Sequence, residues 1–210
     1  MMKQGLALHT TSGELGIAII NNQGLSRFQS WDLGRDLANN LQEKLRDFLP
    51  PILWQDLEFI AVAKGPGSFT STRIGIVTAK TLAQQLNIPV FGISTLESLA
   101  WYHSKQNLNS FFIAVEMKAN SEEVFGAIYQ FFDKKTDLLN IIVDRVFKVK
   151  EWEIILKEYQ DKYNDKFNHI TTPDKLAFTT ESLLEITSIK INNNEDYSIN
   201  NWQNLTPFYN

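Results

Sequence analysis

Residues 59–100 read FIAVAKGPGSFTSTRIGIVTAKTLAQQLNIPVFGISTLESLA, and this stretch decides the fold. Its first five residues, Phe59, Ile60, Ala61, Val62 and Ala63, form a continuous apolar run of strand length. Such a run marks a central strand buried on both faces. It stops at Lys64-Gly65-Pro66-Gly67-Ser68, and a helix is predicted over 70–86, closed by Asn87 and Pro89. Residues 90–93 supply a further strand. Ser94, with Glu97 three positions on, has the spacing of a capping box, so another helix opens there and reaches Trp101 or Tyr102. Strands that alternate with helices in this way pair in parallel, because a parallel connection needs a crossover helix.

Upstream, residues 6–10 and 15–20 read as two strands around a turn at 11–13. Asn21-Asn22-Gln23-Gly24 is a hairpin signal, since Asn and Gly tolerate the positive φ of tight turns. A third strand over 25–31 then pairs antiparallel with the second. Leu33, Leu37, Leu41, Leu45 and Leu49 recur every four residues opposite Asn39, Asn40, Glu43, Arg46 and Asp47. That is an amphipathic helix over 33–49, ended by Pro50-Pro51. The order βββαβαβα describes a mixed five-stranded sheet covered by helices. It matches the α/β ribonuclease H-like fold in its actin-like (ASKHA) form, shared by actin, sugar kinases and Hsp70-type ATPases. Beyond residue 104 the patterns weaken. Strands are expected over 111–117, 124–132 and 139–143 and helices over 151–163 and 180–191, with an Asn-rich loop at 192–204. The expected division is an N-terminal lobe over 1–103 and a smaller, divergent lobe over 104–210, placed where the βα pattern ends.

Composition narrows the function classes. The 210 residues include no cysteine, which excludes disulfides, a thiolate nucleophile and Cys-ligated metal sites. The net charge is −4; residues 1–103 carry 8 basic and 8 acidic side chains, and 104–210 carry 12 and 16. Neither half has the cationic excess that grips nucleic acid unaided. No segment approaches the ~18–20 apolar residues of a membrane span, and the N-terminus carries no signal-peptide core, so a cytoplasmic location is expected.

Two features carry candidate function. The turn Gly65, Pro66, Gly67, Ser68 with Thr70 joins a strand to a helix, where backbone N–H groups can receive an anion. The same residues equally suit a tight turn with Ser68 or Thr70 as N-cap, and no Walker A spacing is present. The helix after it is apolar on most sides, with Arg73, Lys80 and Gln84 as its polar ridge. Together with the broad leucine stripe of 33–49 it suggests a two-helix partner surface, for which Leu37, Leu41, Leu45, Arg73, Ile74, Val77 and Thr78 are the candidates. The alternative is that both helices only face the sheet and each other. His9, His103 and His169 are scattered without metal-ligand spacing, and no G-x-S-x-G elbow occurs. The first strand carries a histidine near its end, and imidazole is a poor ligand for Mg²⁺. Catalysis by this chain alone is not expected.

The string GPGSFT, RIG, TAK, LA, IP and LE within 59–100, with LALHTTSGELGIAI at 6–19, closely resembles the TsaB (YeaZ) family. The likeness is dense over 5–103 and thin beyond, where Ala119, Glu123-Val124-Phe125 and Pro207 echo it. The resemblance implies an actin-like fold of two lobes, the second reduced. It implies a non-catalytic subunit of the tRNA threonylcarbamoyladenosine synthesis complex, pairing with a TsaD-type transferase through helices of the first lobe. A TsaE-type ATPase is a further implied partner, a homodimer the implied state alone, and tRNA is met only through the complex. No cofactor is implied on this chain; ATP and metal are expected on the partners. His9 stands where the family has Asp, Ser71 and Thr72 replace Gly-Leu, and Lys118 and Glu122 replace Asp and Gly. The competing functions are an actin-like ATP-dependent phosphotransferase or glycoprotease-like hydrolase, motivated by the Gly65–Ser68 helix start, and direct tRNA binding, which the acidic balance disfavours.

Overall fold

The computed structural model describes residues 3–106, 111–132, 138–193 and 201–208. The described chain separates into two compact units. One is Met1–Thr95 with Asp174–Tyr209, and the other is Leu96–Pro173.

The first unit is built on five strands in the order β3-β2-β1-β4-β5. These are β1 (Gly5–His9), β2 (Glu14–Ile20), β3 (Ser26–Asp32), β4 (Phe59–Ala63) and β5 (Val90–Ile93). The β1–β2 and β2–β3 pairs are antiparallel, while β1–β4 and β4–β5 are parallel. This is the mixed sheet expected from the order of elements. Asn21 makes the β2–β3 hairpin: its Oδ1 accepts the backbone N–H groups of Gln23 and Leu25, and Gly24 takes φ 80°.

Period-two alternation sorts β1 onto two faces. Leu6 and Leu8 join a core with Ile17, Ile60 and Val62, which α1 (Leu37–Phe48) and α2 (Phe69–Leu86) cover with Leu37, Leu41, Leu45, Ile76, Ala79 and Ala83. Ala7 and His9 point to the other face. There α5 (Thr180–Asn192) packs on β1, β2, β4 and β5. Gly16, the register partner of His9, is so close to this layer that a Cβ on it would lie 2.1 Å from the Thr180 hydroxyl.

The leucine ladder of 33–49 becomes an α-helix only from Leu37, because Gly34 takes φ +50° and residues 34–36 form a 3-10 turn. The far end of α1 is closed by Arg27, whose Nη2 donates to the carbonyls of Phe48, Leu49 and Pro50, with 2.9 Å to Leu49. A cation there meets the negative end of the helix dipole.

The second unit is a sheet in the order β8-β7-β6-β9, formed by β6 (Phe112–Lys118), β7 (Glu123–Phe131), β8 (Leu138–Lys148) and β9 (Phe167–Thr171). α4 (Val149–Tyr163) covers one face, with Trp152 1% exposed among Phe112, Ala114, Val124, Ile128 and Phe147. α3 (Thr95–Gln106) enters this unit and sets Trp101 against Phe131, ring centroids 6.1 Å apart. Glu116 organises one end of the sheet: its carboxylate accepts from Trp152 Nε1 at 2.7 Å and Thr171 Oγ1 at 3.1 Å, and His169 Nε2 lies 3.1 Å away.

Three expectations are corrected here. The division expected at 103/104 falls at 95/96, and residues from Asp174 return to the first unit, because α5 buries Leu183, Leu184 and Ile186 and packs on the first sheet. β9 was not expected; it adds to β6 in parallel after the α4 crossover. β8 runs to Lys148, past the expected end at 143, by bulging twice against β7. The expected Asn-rich loop at 192–204 falls partly outside the described residues, and 201–203 form a 3-10 turn.

Candidate partner-binding surface and glycine turn

The strand-to-helix junction 64–68 is held from several sides. The peptide bond Gly65–Pro66 is cis, and Gly65 takes φ +104°. The Lys64 amide donates to Ile93 O at 2.8 Å, and the Ser68 amide donates to Thr11 O at 2.7 Å. The Thr95 amide donates to Gly65 O at 2.9 Å. Gly67 is pressed onto the β1–β2 turn: a Cβ on it would lie 2.3 Å from Thr11 O, closer than real Cβ atoms come to backbone. The glycines are therefore required by packing. The Ser68 amide at the helix start, where an anion would bind, is already bonded inside the chain. Ser68 occupies the N-cap position without a side-chain cap; its hydroxyl donates to Ser71 Oγ at 3.1 Å instead. Gly65 and Pro66 are buried, while Ser68 and Thr70 are exposed.

The α2 face that looks away from the core is a short mixed ridge. Val77 is 61% exposed and Phe69 53% exposed, with Arg73 exposed between them. These residues are spaced i, i+4, i+8 and so lie on one side of the helix. The Arg73 guanidinium sits 3.8 Å from the centre of the Phe69 ring, a cation–π pair that orders both side chains. Ile74 is half-buried beside them and packs on the core edge, and Thr78 is 9% exposed. The opposite side of α2 is buried through Thr72, Gly75, Ile76, Ala79 and Ala83.

Of the candidate interface residues, the structure therefore brings together Arg73, Ile74 and Val77. It removes Leu37, Leu41 and Leu45, each 1% exposed inside the core. Their four-residue period reported an apolar stripe correctly, but the sheet and α2 already cover it. The exposed side of α1 is Ala38, Asn39, Gln42, Glu43 and Arg46, a solvated face. Sequence reasoning missed Phe69. The spacing of Phe69, Arg73 and Val77 carried the signal, but an aromatic at the first helical position reads equally well as a core anchor.

His9 ends β1 with no exposure, and neither ring nitrogen has a hydrogen-bond partner among the described residues. Burial lowers its pKa to about 3 from 6.5, because the charged ring would lose its hydration without gaining a partner. It is a neutral imidazole inside a layer between sheet and helix. Thr72, another departure from the family pattern, is also fully buried with its hydroxyl unpaired among the described residues. Lys118 and Glu122 flank the β6–β7 turn and are exposed, with the Glu122 amide donating to Asn120 Oδ1 at 2.8 Å. Among the described residues, no group of three or more His, Asp or Glu side chains is placed to hold a metal ion.

Comparison with known proteins places this architecture. The family model described as TsaD, tRNA N6-adenosine threonylcarbamoyltransferase, matches residues 32–187, well over half of the chain. The tRNA threonylcarbamoyladenosine biosynthesis protein TsaB of Bacillus subtilis is 32% identical over 157 residues, covering 73% of this chain and 66% of that protein. TsaB of Buchnera aphidicola subsp. Schizaphis graminum is 35% identical over 137 residues, covering 55% and 62%. The chain thus spans just under two thirds of the length of these two relatives. Among solved structures, YeaZ from Pseudomonas aeruginosa superposes with a TM-score of 0.76 at 19% identity, covering 100% of both chains. A protein described as similar to peptidase YeaZ from Pseudomonas aeruginosa gives 0.78 at 20%, covering 99% of both. At those identities the superpositions establish the fold, which is the expected one. A family model that covers β4, β5 and the whole second sheet, relatives that share one name, and a YeaZ architecture from end to end agree: the chain belongs to the TsaB family, within the wider family that the TsaD model describes.

Proposed function

We propose that this chain is a non-catalytic subunit in tRNA threonylcarbamoyladenosine synthesis, and that it binds a TsaD-type transferase through the exposed ridge of α2. The observation that carries the reading is Phe69, Arg73 and Val77 standing out from a helix whose other side is core. An exposed aromatic and an arginine on one rigid face are residue types enriched at interface centres. Curated relatives named for this biosynthesis support the pathway. His9 supports the non-catalytic role: a buried neutral imidazole at the end of the central strand offers nothing to a solvent-borne substrate. The bonded Ser68 amide supports the assignment of ATP and metal to partner subunits rather than to the glycine turn.

In this reading the net charge of −4 leaves tRNA contacts to the partners, a TsaE-type ATPase joins the assembled pair, and the chain acts in the cytoplasm. The chain pairs with itself when the transferase subunit is absent. The test is isothermal titration of the purified chain with its transferase subunit, joined to measurement of the modified nucleoside in tRNA from a deletion strain. Micromolar or tighter binding and loss of the modification are expected. No complex at micromolar concentration together with unchanged modification would refute the reading.

A further inference from the structure

Residues 201–208 lie beyond the segment that the family model matches, yet they are built into the first unit. The short turn Asn201–Gln203 packs on α2 and on β5, the edge strand of the sheet. Trp202 rests against the core, and Leu205, 9% exposed, belongs to it. Two hydrogen bonds tie the segment down. Lys80 Nζ on α2 donates to Leu205 O at 3.2 Å, and the Phe208 amide donates to Lys64 O at 2.7 Å.

Two glycines record how closely this segment passes. A Cβ on Gly92, in β5, would lie 2.4 Å from Leu205 Cδ1. A Cβ on Gly65 would lie 2.7 Å from Phe208 O. The C-terminal segment therefore crosses the end of β4 and β5 and lies directly over the turn from which α2 starts. That turn contains a glycine at positive φ, the residue type with the least backbone restraint of its own.

We propose that residues 201–208 form a strap that clamps the Gly65–Ser68 turn and so sets the position in which α2 presents Phe69, Arg73 and Val77. Leu205 and Phe208 are its positioning residues: they fix a surface that they do not belong to. With the strap in place, the carbonyl of Lys64 has its donor and Gly65 is confined from above. With the strap released, the turn and the first turns of α2 open locally, and the Phe69–Arg73 pair loses its fixed origin. The consequence for partner capture rests on the reading of α2 as the partner face; the clamping itself does not.

The test uses the full chain and two independent ways to release the strap. Gly92→Val drives a side chain into the space of Leu205 from a strand position outside the turn and α2, its Cβ meeting Lys64 only at the side chain, 3.3 Å from Cδ, and adding Leu205→Ala restores that space. Phe208→Pro removes the amide that bonds Lys64 O. Amide hydrogen exchange is followed across residues 65–77, with α1 and α4 as internal controls, alongside affinity for the transferase subunit. Gly92→Val and Phe208→Pro are each expected to raise exchange in 65–77 by about tenfold while the controls hold, which reports local opening. Each is also expected to weaken capture by about tenfold, and the Gly92→Val/Leu205→Ala pair to return both readouts toward wild type. Unchanged exchange in 65–77 for either single variant with controls intact, or a double variant that restores neither readout, overturns the strap. If the unaltered chain does not bind the transferase subunit, the partner reading fails while the exchange result still decides the clamp.

Discussion

His9 makes the acid side of this protein's stability curve predictable. Its imidazole is 0% exposed and unpartnered among the described residues, and burial lowers its pKa to about 3 from 6.5. The folded value lies below the unfolded one, so the unfolded chain takes up a proton below pH 6.5 while the folded chain stays neutral until about pH 3. The stabilisation is complete above pH 6.5 and drains away as pH falls through that window. A difference of 3.5 units amounts to about 5 kcal/mol over the whole window, of which about 2 kcal/mol is lost by pH 5. Against a typical stability of about 5–15 kcal/mol that is a large loss.

The assay is urea unfolding followed by tryptophan fluorescence from pH 8 to pH 5, comparing the natural chain with His9→Leu. The variant also removes two unpaired nitrogens from the core, so its absolute stability can move either way. The informative quantity is the difference between the two chains as a function of pH. It should shift by about 2 kcal/mol in favour of the variant between pH 8 and pH 5. His103, which burial also lowers, titrates in both chains and cancels. A difference that stays level across this range, or a His9 imidazole resonance that titrates near pH 6.5, would refute the reasoning.

Other expectations follow from the same structure. Leu41→Ala should destabilise the chain by about 2–5 kcal/mol, because it opens a cavity between α1 and the sheet; a thermal melt reads this directly. Val77→Asp should leave the melting temperature within a few degrees, because the side chain is exposed, but weaken transferase capture by at least about tenfold, since it charges the centre of the proposed interface. Equal capture by Val77→Asp in titration calorimetry would remove α2 from the interface. Gly67→Ala should cost about 1–3 kcal/mol in urea unfolding, because its Cβ would meet Thr11 O at 2.3 Å and the turn must shift. Glu116 has its pKa lowered, first by the hydrogen bond with His169, so its contribution is present above the usual 4.5 and is lost as pH falls below it. Glu116→Gln should therefore destabilise by about 1–3 kcal/mol at pH 7, with the gap to wild type narrowing toward pH 3.

The local patterns determined most of the first unit. A two-residue period, Gly and Asn at positive φ, and a capping box each act within a few residues, so 59–100 and the hairpin at 21–24 announced their strands and helices in order. β9 was hidden because Phe167–Thr171 alternates only weakly and owes its place to pairing with Phe112–Glu116. The candidate surface was half legible for a related reason. Periodicity states which side of a helix is apolar and says nothing about what covers that side. Leu37, Leu41 and Leu45 show the same kind of stripe as α2, yet the sheet buries them and leaves Val77 out.

Short-range patterns therefore settled the type and order of the elements from β1 to α3, their parallel connections, and the TsaB signature. Tertiary structure decided which apolar side chains face solvent, that α5 returns across nearly the whole chain to cover β1 and β2, and that His9 has no partner among the described residues. It also decided that residues 201–208 close over Gly65 and Gly92. Each of these depends on groups far apart in the chain meeting in space, and no short window of sequence contains both members of such a pair.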